Sequence, residues 1–181
     1  MKLLTHVAFG VLAGLLALSV ATPASAQESK SASLAKQLAS ALDAAKLDCI
    51  AAKDPDVADS FAAALYFPGT QLLVVSGKYS VPQLLVTRLA NKEYRDVYLD
   101  LNGAATAKIF IEDPGADGLK VKRESNQPFD QVETAGKRTM FDGDWKAQKL
   151  SEQDYLKAFS TTDERYAQIL TALLAQLKKT S

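Results

Sequence analysis

The chain has 181 residues, with 21 basic and 21 acidic side chains, one histidine and one cysteine. Interspersed charges of balanced sign exclude the clustered basic field that nucleic-acid binding needs, and a single Cys49 excludes an intramolecular disulfide. The only histidine, His6, lies in a segment with the marks of a secretory signal, so cleavage there excludes histidine-based triads, zinc sites and haem sites from the mature chain.

That segment, residues 1–26, consists of the charged start Met1-Lys2, an apolar stretch from Val7 to Val20, Pro23, and the small residues Ala24-Ser25-Ala26 before Gln27. The stretch is short for a membrane span and contains Gly10 and Gly14, which predicts removal and a periplasmic or secreted destination. Gln27 in place of a cysteine argues against lipid attachment, and no twin arginine precedes the stretch. No later apolar run is long enough to span a bilayer. The expectation is a polar, disordered leader at residues 27–32 and one globular domain at residues 33–181, a size that supports a single core.

In chain order, Ser33 is a fair N-cap, and Leu34, Leu38, Leu42 and Ala45 define one face of a helix ending near Asp48. Cys49 to Ala52 predict a short strand, with Cys49 buried and inert among apolar neighbours, and Asp54-Pro55-Asp56 a loop. Residues 61–67 and 71–76 read as a hairpin around Pro68-Gly69, its second strand apolar on both faces. A second helix is predicted from Ser80 and Pro82 through Leu84, Leu85, Arg88 and Leu89 to about Lys92. Residues 97–101 and 107–112 alternate cleanly and predict a strand pair with Leu99 opposite Ile109. A strand is expected at residues 119–124, then a hairpin at Ala135-Gly136 with residues 138–141 returning above Trp145. Ser151 caps a helix ending at Phe159, and a capping box of Thr161 and Glu164 opens a final helix whose stripe is Tyr166, Ile169, Leu170, Leu173, Leu174 and Leu177.

Three constellations have chemical potential. Ser33-Leu34-Ala35-Lys36 matches the Ser-x-x-Lys pattern of acyl enzymes, but the Ser-Asp-Asn and Lys-Thr-Gly elements are absent, leaving a helix start. Asp113, Asp117 and Glu124 stand at positions one, five and twelve of a calcium-loop pattern, with Gly118 at six. Gly115 occupies position three, Lys120, Lys122 and Arg123 bring positive charge, and strands flank the loop, so a glycine-rich turn without metal is the preferred reading. Asp96, Asp100 and Glu112 on the outer face of the predicted strand pair, with Tyr94, Tyr98 and Phe110 nearby, fit a solvated sheet face better than a pair of catalytic carboxyls.

The order of elements through Ala44-Ala45-Lys46-Leu47, Ile50-Ala51-Ala52-Lys53-Asp54-Pro55-Asp56, residues 61–67 and Leu72-Leu73-Val74-Val75-Ser76 is similar to part of a known family. With the helix at 82–92 and the strand at 97–101, residues 33–112 resemble the first half of the FMN-binding split barrels of the pyridoxamine phosphate oxidase type. The resemblance implies phosphate contacts at Ser76 and Lys78, and a flavin-binding, oxidoreductase-like role. Taken together, the expected fold is α+β, a mainly antiparallel sheet or small split-barrel-like β-barrel flanked by N- and C-terminal helices. The expected role is non-catalytic binding of a small ligand or an envelope partner, without cofactor or nucleic acid and with a homodimer left open; FMN binding is the alternative.

Overall fold

The structure is a computed structural model that describes residues 29–78, 86–87 and 106–180. Ala35, Leu38, Ala39 and Leu42 recur at three- and four-residue steps and are all buried, which sets helix α1 (Ala32–Ala45) with one face inward. It ends where Lys46 turns left-handed at φ 54°; the Lys46 and Leu47 N–H groups then donate to the Asp43 and Leu42 carbonyls and close the last turn.

The start of α1 differs from the sequence expectation. Ser31, not Ser33, stands at the N-cap, and its hydroxyl is spent on Asp163 at 2.6 Å instead of on the helix. Ser29 to Ala32, expected within a disordered leader, are held in place: the N–H groups of Lys30 and Ser31 both donate to the Asp163 carboxylate. A carboxylate from a distant helix thus anchors the residues that lead into α1, whose first turn has no side-chain cap.

Among the described residues seven strands follow: β1 (Cys49–Lys53), β2 (Phe61–Phe67), β3 (Gln71–Lys78), β4 (Val86–Thr87), β5 (Thr106–Pro114), β6 (Asp130–Thr134) and β7 (Lys137–Phe141). They form one sheet in the order β4-β1-β2-β3-β5-β6-β7, every pairing antiparallel. Of the two architectures the sequence allows, this is the open sheet and not a barrel, because β4 and β7 stand at opposite ends of the strand order. Pro68 and Gly69, the latter at φ 68°, make a type II turn closed by Thr70 N–H on the Phe67 carbonyl. Ala135 and Gly136, both left-handed, join β6 to β7 with Thr134 opposite Lys137. Both hairpins are where the turn residues put them.

Three elements differ from expectation. Val86 and Thr87, expected inside a helix, pair with Ile50 and Cys49 as β4, in keeping with their β-branched side chains. The rest of that helix and the strand at 97–101 lie outside the described residues, as does the Leu99–Ile109 register; on its β3 side Ile109 stands opposite Ser76. Residues 119–124 are not a strand. Their backbone groups bond to side chains instead: Leu119 N–H to Ser31 Oγ, Lys120 N–H to Asp130 Oδ2, and the Val121 carbonyl to Tyr155 OH. Finally, the two helices expected after Ser151 are one, α2 (Glu152–Thr180), 29 residues long. Ser151 does cap it through Asp154 N–H at 3.0 Å, but no break occurs near Thr161, because the long stripe from Tyr155 to Leu177 keeps one buried face.

Both helices pack on the same sheet face, against Ile50, Ala52, Ala62, Ala64, Tyr66, Leu72, Val74, Ile111 and Val132. The opposite face carries a second buried cluster of Cys49, Ala51, Ala63, Leu65, Leu73, Val75 and Phe110, so the central strands are apolar on both sides. Cys49 is fully buried, and burial, followed by the neighbouring Asp48 charge, pushes its thiol up to about 12. It is chemically inert at neutral pH. At the β7 edge the Gln148 side-chain amide accepts from Met140 N–H and donates to the Met140 carbonyl, covering one residue of an otherwise open strand edge. No described helix is long and apolar enough to cross a membrane.

Candidate functional site

The last residues of β5 and the first of β6 meet at one end of the sheet and place two aspartates on the helix-covered face. Asp113, near the end of β5, is fully buried. The chain wraps around its carboxylate through Gly115 (φ 90°) and Gly118 (φ 87°), so that Gly118 N–H donates to Oδ2 at 3.0 Å and Asp117 N–H to Oδ1 at 3.3 Å. From the middle of α2, Tyr166 OH donates to the same Oδ2 at 2.9 Å. Asp130 opens β6, is 4% exposed, and accepts Lys120 N–H on Oδ2 at 2.6 Å. Asp117 pairs through Oδ2 with Lys120 Nζ at 2.7 Å, while its buried Oδ1 has no hydrogen-bond partner.

Burial and mutual repulsion set the charges of this group. Burial pushes Asp113 up to about 6, against the hydrogen bonds from Tyr166 and Gly118 and with help from the Asp117 charge. Burial, then the Asp113 charge, pushes Asp130 up to about 8. Asp130 therefore keeps its proton at neutral pH. Burial and Asp113 together hold the Tyr166 phenol well above its ordinary value, so it acts as a permanent donor.

Beside these groups opens a cavity of about 470 Å³, walled by the β2–β3 turn at Gly69 and Thr70 and by Asp117, Lys120, Arg123 and Asp130. Its size is that of a small-molecule site, and its walls carry both signs of charge. Arg123 lies 6.0 Å over the Phe129 ring, which steadies the guanidinium near the rim.

A second polar group is structural. Asp54, in the β1–β2 connection, accepts from Arg165 of α2, from the Ser76 hydroxyl, and from Asp56 and Val57 N–H at 2.8 Å each. Its side chain has no exposed surface, which by itself would raise its pKa; the bonds from Arg165, Ser76 and the two N–H groups outweigh burial and hold it at about 2. The pair pins α2 to the sheet.

The residues singled out from the sequence fall as follows. Ser76 is buried and its hydroxyl is engaged with Asp54, a carboxylate that repels phosphate. Lys78 ends β3, opposite Thr106 of β5. Of the calcium-loop trio, Asp113 turns inward to Tyr166, Asp117 borders the cavity beside Lys120, and Glu124 lines the cavity from an exposed stretch. Among the described residues no three acidic, histidine or cysteine side chains are placed to hold a metal ion. Glu112 is half-buried on β5, while Asp96 and Asp100 lie outside the described residues. Sequence reasoning missed Asp130, Tyr166 and the Asp54–Arg165 pair; the one local signal was an aspartate opening a strand just after Pro128-Phe129, where a solvated residue is the usual occupant.

Comparison with protein-family models, with curated proteins and with solved structures finds no match to this chain.

Proposed function

We propose that the mature chain works outside the cytoplasm as a non-catalytic binding domain, and that the cavity between the β2–β3 turn and residues 114–130 holds a small polar ligand. The observation that carries this reading is a cavity of about 470 Å³ whose wall includes a carboxyl that is 96% buried, Asp130, facing cationic Lys120 and Arg123 across a short loop. A buried ionisable group at a cavity wall costs stability, and binding is a reason to keep it there.

FMN held through Ser76 and Lys78 is the competing reading. It requires Ser76 to release Asp54 and a phosphate to approach that carboxylate, whereas the cavity at Asp130 demands no such rearrangement. The test is to isolate the protein from the periplasmic fraction, denature it, and analyse the filtrate by mass spectrometry. A small polar molecule should be released, and less of it from the Arg123→Ala protein. A yellow preparation that releases FMN, or equal release from both proteins, overturns the reading.

A further inference from the structure

Residues 117–121 form a strap that leaves the end of β5 and passes the start of α1, and side chains from four elements hold its backbone. Asp117 N–H and Gly118 N–H donate to Asp113 of β5, Leu119 N–H to Ser31 Oγ beside α1, and Lys120 N–H to Asp130 of β6, while the Val121 carbonyl accepts from Tyr155 OH of α2. A segment held group by group has no cooperative ladder, so it stays shut only while its holders keep their form. Two of those holders are buried carboxyls, Asp113 and Asp130, and Asp117 adds a third acid on the strap itself. Buried carboxyls that repel one another cannot all be charged while the strap is shut.

We propose that the strap is a proton-operated latch: protonated Asp113 and Asp130 keep it shut, and their ionisation releases residues 117–121 while the sheet and α2 stay folded. Release takes Asp117 and Lys120 out of the cavity wall and separates Leu119 from Ser31. One step thus unmakes the cavity and loosens the entry to α1. The latch needs no ligand in order to work, and it stands apart from the binding reading above.

The groups facing Asp130 are Asp113 on β5, Asp117, Lys120, Arg123 and Glu124 around the cavity, and Tyr155 and Tyr166 on α2. Burial and the neighbouring acids outweigh Lys120, so Asp130 keeps its proton up to about pH 8; Asp113, faced by Asp117, Asp130 and Tyr166, keeps its own up to about pH 6. Both phenols are held above their ordinary value and do not titrate in this range. In an open strap the two carboxyls are solvated and ionise near pH 4. The shut form therefore holds more protons, and opening is favoured as pH rises from about 4 to about 8 and is independent of pH beyond.

The test is amide hydrogen exchange of the purified protein, followed by NMR from pH 6 to pH 9, corrected for intrinsic exchange, and repeated in low urea. The opening constants of Gly118, Leu119 and Lys120 should rise close to tenfold between pH 6.5 and pH 7.5 and level off above pH 8. They should vary little with urea, because a local opening exposes little surface. Ala64 and Val74, paired in the central strands, should stay more protected at every pH and respond to urea as global unfolding does. The isosteric Asp130→Asn protein, its fold checked by near-ultraviolet circular dichroism, should lose the rise above pH 6.5. Strap amides that open only together with Ala64 and Val74, or whose opening in the wild-type protein is independent of pH, overturn the proposal. A folded Asp130→Asn protein that keeps the rise overturns it as well.

Discussion

A methyl group at Gly118 would lie 2.3 Å from Ala32 Cα and 2.5 Å from Ala32 N, at a φ of 87° that side chains avoid. That contact is backbone against backbone, so it cannot be relieved by a rotamer change. Gly118→Ala should therefore cost at least about 3 kcal/mol in urea unfolding, while Gly136→Ala, left-handed at φ 74° but with nothing within 4 Å of the added carbon, should cost about 1 kcal/mol. Equal costs would mean that α1 does not approach the Asp113 loop this closely. The spacing of Asp113, Asp117 and Gly118 is legible in the sequence as a tight loop around a carboxylate. That the wrapped carboxylate would be Asp113, and that its third donor would be Tyr166 from a helix 53 positions away, is not. A tyrosine on an apolar stripe reads as core, and it is core; only its hydroxyl has a second task.

At the scale of elements, periodicity predicted α1, the β2–β3 hairpin, the β6–β7 hairpin and the final apolar stripe, because each rests on residues within about ten positions of one another. It failed where a local signal had a competing tertiary use. Thr161 and Glu164 spell a capping box, yet α2 runs unbroken past them, and Asp163 between them serves residues 30–31 instead. The two readings differ in sign for one substitution. As an exposed mid-helix position, Thr161→Ala should stabilise by about 0.5 kcal/mol through better helix propensity, whereas removing a true cap would destabilise by about 1 kcal/mol. Thermal and urea unfolding of that single variant decide between them. Residues 119–124 failed as a strand for a related reason: Ser31, Asp130 and Tyr155 satisfy their backbone one group at a time, leaving no ladder to join.

For the whole molecule, the buried carboxyls act on stability in opposite directions. Asp54, held at about 2 against about 4 in an unfolded chain, contributes stability that is present above pH 4 and lost as pH falls towards 2. Asp113 and Asp130, raised to about 6 and about 8, keep protons in the folded state that the unfolded chain releases near pH 4, so they withdraw stability as pH rises from about 4 to about 8. The melting temperature should therefore be higher at pH 5 than at pH 8, and Asp130→Asn should flatten that slope. A wild-type melting temperature that rises from pH 5 to pH 8 would contradict the burial of these two groups. The sequence by itself determined the α+β class, the antiparallel hairpins, a fully apolar central strand and the lone buried thiol, because hydrophobic period and turn chemistry are local. Only the tertiary structure decided that the sheet stays open, that α2 is one helix, and that Asp113, Asp117, Asp130 and Tyr166 share one corner. The reason is physical: the charge state and partners of a carboxyl depend on what is folded against it, and the chain brings those groups together from β5, its loop, β6 and α2.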